Sequence, residues 1–271
     1  MFRSALFIPC ANAKVMAKAA TLQCDALIFD LEDAVGDDER DGALVRLAES
    51  LTGTFVAKTV LVRIHPQYLG GIHKALAGLR IDGLVVPKVN DAADISGVAH
   101  IWPNVPLWAM IETAQGLVNL AEIAASGVKG LIAGPNDLRK DLRTRPMEGR
   151  ADILFALSQI VLYGRANDLI VLDGVYNQYA DEVGFMVECV QGRSLGFDGK
   201  TLIHPAQITA CEVAFSPSEA EIEWARAVVA AFEDSHSGVI SVNGEMVERL
   251  HLEQAKAILG VSYDYTPDFS R

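Results

Sequence analysis

The chain of 271 residues is long enough for one large α/β domain or two small ones, and with 51% apolar residues it can support a full core. Its formal net charge of −12 argues against a nucleic-acid partner and against an anionic membrane surface, while a few local cations or a bound metal can still admit an anionic substrate. It contains no apolar run long enough for a transmembrane helix.

The amino terminus, MFRSALFIPCANA, has the outline of a signal peptide, but its apolar run is too short for one. A first β-strand over 4–9 is the better reading. Further apolar, β-rich runs predict strands at 25–31, 59–64, 83–88, 107–112, 130–134, 169–173 and 197–203. Between them, helices are predicted at 12–22, 39–52, 68–78, 91–98, 115–126, 150–166 and 178–193. Near-continuously apolar strands alternating with helices mean a parallel sheet covered on both faces. Eight such units over 1–205 match an α/β fold of the (β/α)8 TIM-barrel type. An open doubly wound sheet competes, but no GxGxxG or Walker pattern follows the first strand.

Residues 206–271 exceed what a barrel needs and form a helical and hairpin extension. FSPSEAEIEWARAVVAAFEDS predicts a helix with Ser216 as N-cap, Pro217 at N1 and Glu219 at N3. SHSGVISVNGEMVE predicts a hairpin turning at Asn243-Gly244, and HLEQAKAILG a last helix capped by Gly260. This extension is expected to pack on the barrel or on a neighbouring subunit. The four cysteines (Cys10, Cys24, Cys189, Cys211) show no metal-binding spacing and no sign of disulfides, so a cytoplasmic protein is expected. Cys10, at the end of the first strand, reads as a small buried residue more readily than as a reactive thiol.

In such barrels the active site lies at the carboxyl ends of the strands. The polar residues there are Asp30, Glu32 and Asp33 after strand 2, Arg63 and His65 after strand 3, Lys88 after strand 4 and Glu112 after strand 5. Asn136 and Asp137 follow strand 6, Asp173 follows strand 7, and His204 follows strand 8. Carboxylates without cysteine or clustered histidine suit an oxygen-loving cation, Mg²⁺ or else Mn²⁺. Glu112 and Asp137 come from adjacent strands, so one ion can bridge them. Arg63 ends a strand that should be buried and needs an anionic partner. Pairing with Glu32 or Asp33 and binding a substrate carboxylate or carbonyl both fit it. The histidines read as hydrogen-bonded structural residues, and Lys88 as an ion-pair or carboxylate contact. Asp173 reads as a loop holder or an acceptor for Tyr176.

RSALFIPCANA, CDALIFDLEDAV, LVRIHP, VVPKV, AMIETAQGL, GPNDL, LDGVY and LGFDGKTLIHPAQI occur in that order, followed by GVISVNGEMVE. Together they resemble the citrate lyase beta-subunit family, within the wider class of HpcH/HpaI aldolases and malyl-CoA lyases. The resemblance spans nearly the whole chain. It implies a TIM barrel that cleaves a carbon–carbon bond in a 3-hydroxyacyl thioester with Mg²⁺, releasing an α-keto acid by retro-Claisen chemistry. It implies Glu112 and Asp137 as metal ligands, and Arg63 at the reacting carbonyl or carboxylate. Asp30, Glu32 and Asp33 then position Arg63 and metal-bound water. Pro9, Asn12 and Lys18 fall where the family contacts the thioester carrier, coenzyme A or an acyl carrier protein. Glu248 falls where relatives carry an aspartate on a carboxyl-terminal lid. A homotrimer or hexamer is implied as well.

Three departures stand out. Cys10 replaces a turn glycine, Asn12 replaces an arginine common in coenzyme A-specific relatives, and Glu248 replaces aspartate. Two alternatives remain beside the thioester lyase. One is a metal-dependent aldolase on free 4-hydroxy-2-oxo acids. The other is a non-catalytic carrier-binding subunit, against which the retained buried charges argue.

Overall fold

Eight parallel strands close on themselves in chain order. They are β1 (Ser4–Pro9), β2 (Ala26–Asp30), β3 (Thr59–Arg63), β4 (Gly83–Val86), β5 (Leu107–Ile111), β6 (Gly130–Ala133), β7 (Ile170–Asp173) and β8 (Gly199–Leu202). The seam is the β1–β8 pair, in which Ser4, Ala5 and Leu6 face Lys200, Thr201 and Leu202. The computed structural model describes residues 2–233 and 238–262. All eight predicted strands are present. Helices α1 (Ala13–Ala19), α2 (Arg40–Ser50), α3 (Leu69–Leu76) and α4 (Ala92–Ile101) follow the first four.

Helix formation departs from expectation at two places. The segment predicted as one helix over 115–126 is broken at Asn119 into α5 (Ala114–Val118) and α6 (Leu120–Ala124), and the Asn119 side-chain amide donates to the Asn90 carbonyl at 2.8 Å. The second difference is α7 (Pro135–Leu142), which the turn-forming run Gly134-Pro135-Asn136-Asp137 conceals. Pro135 sits at its first position, where a missing N–H costs nothing. Asp137 therefore lies in the first turn of a helix rather than in a loop. Helices α8 (Leu154–Ala166), α9 (Glu182–Leu195) and α10 (Ile208–Phe215) complete the series.

The barrel interior is filled by inward side chains, among them Phe2, Ile28, Leu61, Val85, Trp108, Met110, Ile132 and Leu172. Phe2 and Trp108 meet with ring centroids 5.0 Å apart. Gly130 is required beneath Trp108, because a Cβ there would collide with the indole. Cys10, Cys24, Cys189 and Cys211 are all free and buried, and burial pushes the Cys10 thiol well above its ordinary range. That removes Cys10 from nucleophilic chemistry.

The chain divides into two compact units, Phe2–Val213 and the part from Ala214 onward. The second holds α11 (Glu219–Glu233), the hairpin β9 (Val239–Val242) and β10 (Glu245–Glu248), and α12 (Arg249–Ser262). Asn243 and Gly244, with φ of 52° and 86°, make the expected two-residue turn. The α11 cap is Ser218 rather than Ser216. Ser218 Oγ accepts from the Glu221 N–H at 3.2 Å, and the Ser218 N–H donates to Glu221 Oε2 at 2.7 Å. Two overlapping S-x-x-E patterns exist here, and the inner one closes. Helix α12 runs through Gly260 without stopping, so that glycine is no cap. Residues 234–237 and 263–271 of the predicted extension lie outside the described residues.

Candidate active site

Parallel register sets the first contact. Asp30 lies directly opposite Arg63 across the β2–β3 ladder, at the carboxyl end of both strands. Arg63 Nε and Nη2 each donate to Asp30 at 2.7 Å, a two-pronged pair in a site where Arg63 is 7% exposed. Its Nη1 lies 3.1 Å from Glu32 Oε2 and donates to Asp33 Oδ2 at 3.3 Å. Burial works against the Arg63 charge, but the Asp30 bonds and the neighbouring acids hold its proton more tightly than in water. The principal partner is thus Asp30, while the sequence pointed to Glu32 and Asp33.

Lys88 ties this cluster to the next strand. Its ammonium donates to Glu32 and, at 3.0 Å, to Asp33, while its backbone N–H donates to Glu112 Oε1 at 2.7 Å. The residue reaches both by adopting φ of 51°, a left-handed backbone rare outside glycine. Burial opposes the Lys88 charge but its hydrogen bonds to Glu32 and Asp33 prevail, so it stays a cation and not a Schiff-base amine. Burial raises the Glu32 carboxyl against the pull of Arg63; at Asp33 burial acts the same way, but the bonds to Lys88 and Glu32 and the charge of Arg63 together lower it.

Glu112 follows β5 and is 1% exposed. Burial pushes its carboxyl up to about 7, opposed by the Lys88 N–H, and Asp137 raises it further. Gly134 faces it from the end of β6, where a Cβ would strike the Glu112 carboxylate. Among the described residues no group of three or more His, Cys, Asp or Glu side chains gathers as a ready metal cage. Glu112 and Asp137 instead offer two carboxylates to one cavity whose cation, Arg63, is already engaged by three acids. Oxygen donors with uncompensated negative charge fit Mg²⁺, which needs only one or two protein carboxylates.

The cavity encloses about 310 Å³ at the mouth of the barrel and gathers Pro9, Asp30, Asp33, Arg63, Glu112 and Asp137. Glu32 stands behind them, reaching the site through Arg63 and Lys88. Asn12 and Lys18 are exposed and outside the cavity lining. Asn12 caps α1, its Oδ1 accepting from the N–H groups of Lys14 and Val15 at 3.1 and 3.2 Å. Glu248 ends β10 in the second unit, its N–H donating to His251 Nδ1 at 2.9 Å. His65 and His204 cap short 3-10 turns through Nδ1, as structural histidines do.

Sequence reasoning missed a second buried charge network behind β7 and β8. Asp173 accepts from Arg150 Nη1 at 2.7 and 2.9 Å and from the Lys200 ammonium at 2.9 Å, and Lys200 also donates to Glu188 at 2.7 Å. Asp173 and Lys200 are fully buried. Tyr176 donates to Asp181 at 2.6 Å and not to Asp173. The one signal was a lysine inside a strand expected to be buried, GKTL. Asn136 and Asn177, joined by reciprocal amide bonds of 3.2 and 2.8 Å, pin the first turn of α7 to the segment after β7 at the cavity wall.

A closed (β/α)8 barrel with carboxylates and a clamped arginine at its carboxyl mouth places the candidate site where barrel enzymes carry theirs, and the class to which it belongs is that of carbon–carbon lyases. The chain belongs to the HpcH/HpaI aldolase/citrate lyase family, whose model matches residues 3–205. A second model, a carbon–carbon bond lyase of the TIM-barrel fold, matches residues 151–266. The chain is 44% identical to a (3S)-malyl-CoA thioesterase of Cereibacter sphaeroides, covering 95% of this chain and 93% of the relative. It is 33% identical to the citrate lyase subunit beta of Leuconostoc mesenteroides, over 95% and 92% of the two chains. Among solved structures it resembles protein CitE of Mycobacterium tuberculosis in complex with magnesium, acetoacetate and coenzyme A. That match has a TM-score of 0.79 and 28% identity over 95% and 96% of the two chains.

Proposed function

We propose that the protein is a Mg²⁺-dependent lyase that cleaves a 3-hydroxyacyl-coenzyme A thioester into an α-keto acid and a shorter acyl thioester. The observation that carries this reading is the pairing of Glu112 with Asp137 in one cavity beside the Asp30-clamped Arg63. Glu112 and Asp137 would hold the ion, which when bound supplies Lewis-acid polarisation of the substrate hydroxyl and its neighbouring carboxylate. Arg63, fixed by Asp30, offers a rigid positive edge to the oxygen on which charge develops. Asp33, half-exposed at the rim between Lys88 and Arg63, is assigned to hold the water that carries protons. The hydroxyl proton leaves, the bond between C2 and C3 breaks, and the thioester enolate takes up a proton at C2. Phe7, Met110 and Val175 form the wall that limits water.

Thioester hydrolysis is the second reading, favoured by the 44% identity to a malyl-CoA thioesterase. The free-acid aldolase has less support, since the coenzyme A-bound structural relative covers 95% of this chain. A cytoplasmic homotrimer or hexamer completes the proposal. Four free, buried cysteines fit a reducing compartment, and among the described residues no helix is long and apolar enough to cross a membrane.

The test incubates purified protein and Mg²⁺ with malyl-CoA and separates the products. Glyoxylate with acetyl-CoA supports the lyase, malate with free thiol supports the hydrolase, and no product from malyl-CoA or, in parallel, from citramalyl- and citryl-CoA defeats both. EDTA and Glu112→Ala should each remove the activity.

A further inference from the structure

Helices α8 and α9 pack side by side on the barrel, and their outward faces are not those of solvated helices. The sequence of α8, LFALSQIVLYGRA, contains no acid, and its one charge, Arg165, stands in the last turn paired with Asp198 at 2.6 Å. Phe155, Ser158 and Leu162 form its exposed stripe. On α9 the exposed stripe is Val183, Val187 and Val190, while Glu188 donates its charge inward to Lys200 at 2.7 Å. The five apolar side chains are each more than half exposed, Phe155 at 75%. A contiguous apolar face of this kind marks a docking surface. Beside α8 runs a groove of about 430 Å³, walled by Leu117 and Val118 of α5, Leu142 of α7 and Tyr163 of α8, with Phe155 at its rim. The one acid among its described lining residues, Asp152, is held by Arg139 Nε at 2.7 Å. The Ala114 N–H donates to Asp141 at 2.6 Å, which ties α5 to α7. The groove is therefore formed before anything enters it.

We infer that this face is the contact between two copies of the chain related by a two-fold axis, in which α8 crosses α8 near Ser158 and each copy places Phe155 in the groove of the other. The inference rests on the homo-oligomer proposed above and names the surface that builds it. It owes nothing to the lyase chemistry. The charge pattern selects the occupant. The chain carries a net charge of −12, so a second copy is repelled over much of its surface, and a face without charge escapes that repulsion. A partner of opposite charge has nothing to read there. An exposed aromatic and an apolar groove on one small patch are complementary to a copy of themselves, as a two-fold contact requires. Ser158, small and central in the stripe, lets the two helices approach closely. A two-fold contact joins chains in pairs, so the particle holds an even number of copies and is not a lone trimer.

The experiment measures the mass of the full chain by analytical ultracentrifugation over a range of concentrations. An even-numbered particle is expected. Phe155→Glu and Leu162→Glu, both at exposed positions, should each weaken the association by at least about thirtyfold with the far-ultraviolet circular dichroism unchanged. Val45→Glu, at an exposed valine of α2 across the barrel, should leave the association intact. Ser158→Cys introduces an accessible thiol into a chain whose four native cysteines are all buried. A short bis-maleimide should join that thiol to its counterpart and give a covalent dimer on a denaturing gel. Where a glutamate variant fails to fold, the cross-link decides. A monomer at every concentration defeats both the proposed assembly and this face. A trimer, an oligomer that persists in both glutamate variants, or one in which Ser158→Cys does not cross-link leaves the assembly standing and overturns the face.

Discussion

Glu112 carries a cost that only a cation removes. Its folded carboxyl sits at about 7, above its unfolded range, so the fold prefers the protonated form. Metal-free stability from this group is full below the unfolded value near 4.5 and is lost as pH rises toward 7, by on the order of 3 kcal/mol. Glu112→Gln should therefore match wild type in metal-free Tm near pH 5, exceed it at pH 8, and lose all response to Mg²⁺. Thermal melts at the two pH values check this. Wild type should in turn gain more from Mg²⁺ at pH 8 than at pH 6, because binding releases the proton. Arg63→Lys keeps a charge but cannot span both Asp30 oxygens. Its kcat should fall by roughly a hundredfold while Mg²⁺ binding persists, and steady-state kinetics with a parallel metal titration separates the two.

At the scale of elements, the β6–α7 junction positions Glu112 and Asp137, the proposed metal ligands. Gly134 ends the strand beneath the Glu112 carboxylate, and Asp137 enters from the first turn of α7. Gly134→Ala should displace Glu112, weaken Mg²⁺ binding by about tenfold or more and cost about 1–3 kcal/mol of stability, as read by calorimetry and urea melts. The strands were legible because buried parallel strands are short apolar runs, and the acids stood out because each ended such a run. Helix α7 was not legible, because Gly-Pro-Asn-Asp signals a turn and a Pro-started helix with equal force. The dominance of Asp30 over Glu32 and Asp33 was hidden for another reason. It depends on cross-strand register, and register appears only once β2 and β3 are paired. The roles read for Asn12 and Lys18 came from motif position alone. Asn12 proves to have a local duty as a helix cap.

For the barrel as a whole, the Asp173–Arg150–Lys200–Glu188 network joins β7, β8, α9 and the approach to α8. Nothing in the sequence grouped these residues, since their separations reflect three-dimensional closure. Lys200→Met leaves a buried carboxylate short of a partner and should cost about 3–5 kcal/mol, measured by urea unfolding at pH 7. Burial alone would raise the Asp173 carboxyl, but Lys200 and Arg150 hold it below the ordinary range. Its contribution is present above the unfolded value near 4 and is lost as pH falls through the lower folded value. In wild type the Asp173 contribution should fade as pH falls below the unfolded value near 4, and Lys200→Met should begin to lose stability at a higher pH. Urea midpoints at pH 3, 4 and 7 test that order.

The β1–β8 seam has a consequence for biosynthesis. Ser4 leaves the ribosome well before Lys200, and must wait for it before its strand has a neighbour on that side. Until then β1 exposes a bare edge ready to template a foreign strand. Every acid of the candidate metal site has been translated by Asp137, yet the ring that aligns them cannot close for another sixty or so residues. A chain released before Gly199 should accordingly be lost to aggregation or proteolysis, even though it already holds Asp30, Arg63, Glu112 and Asp137.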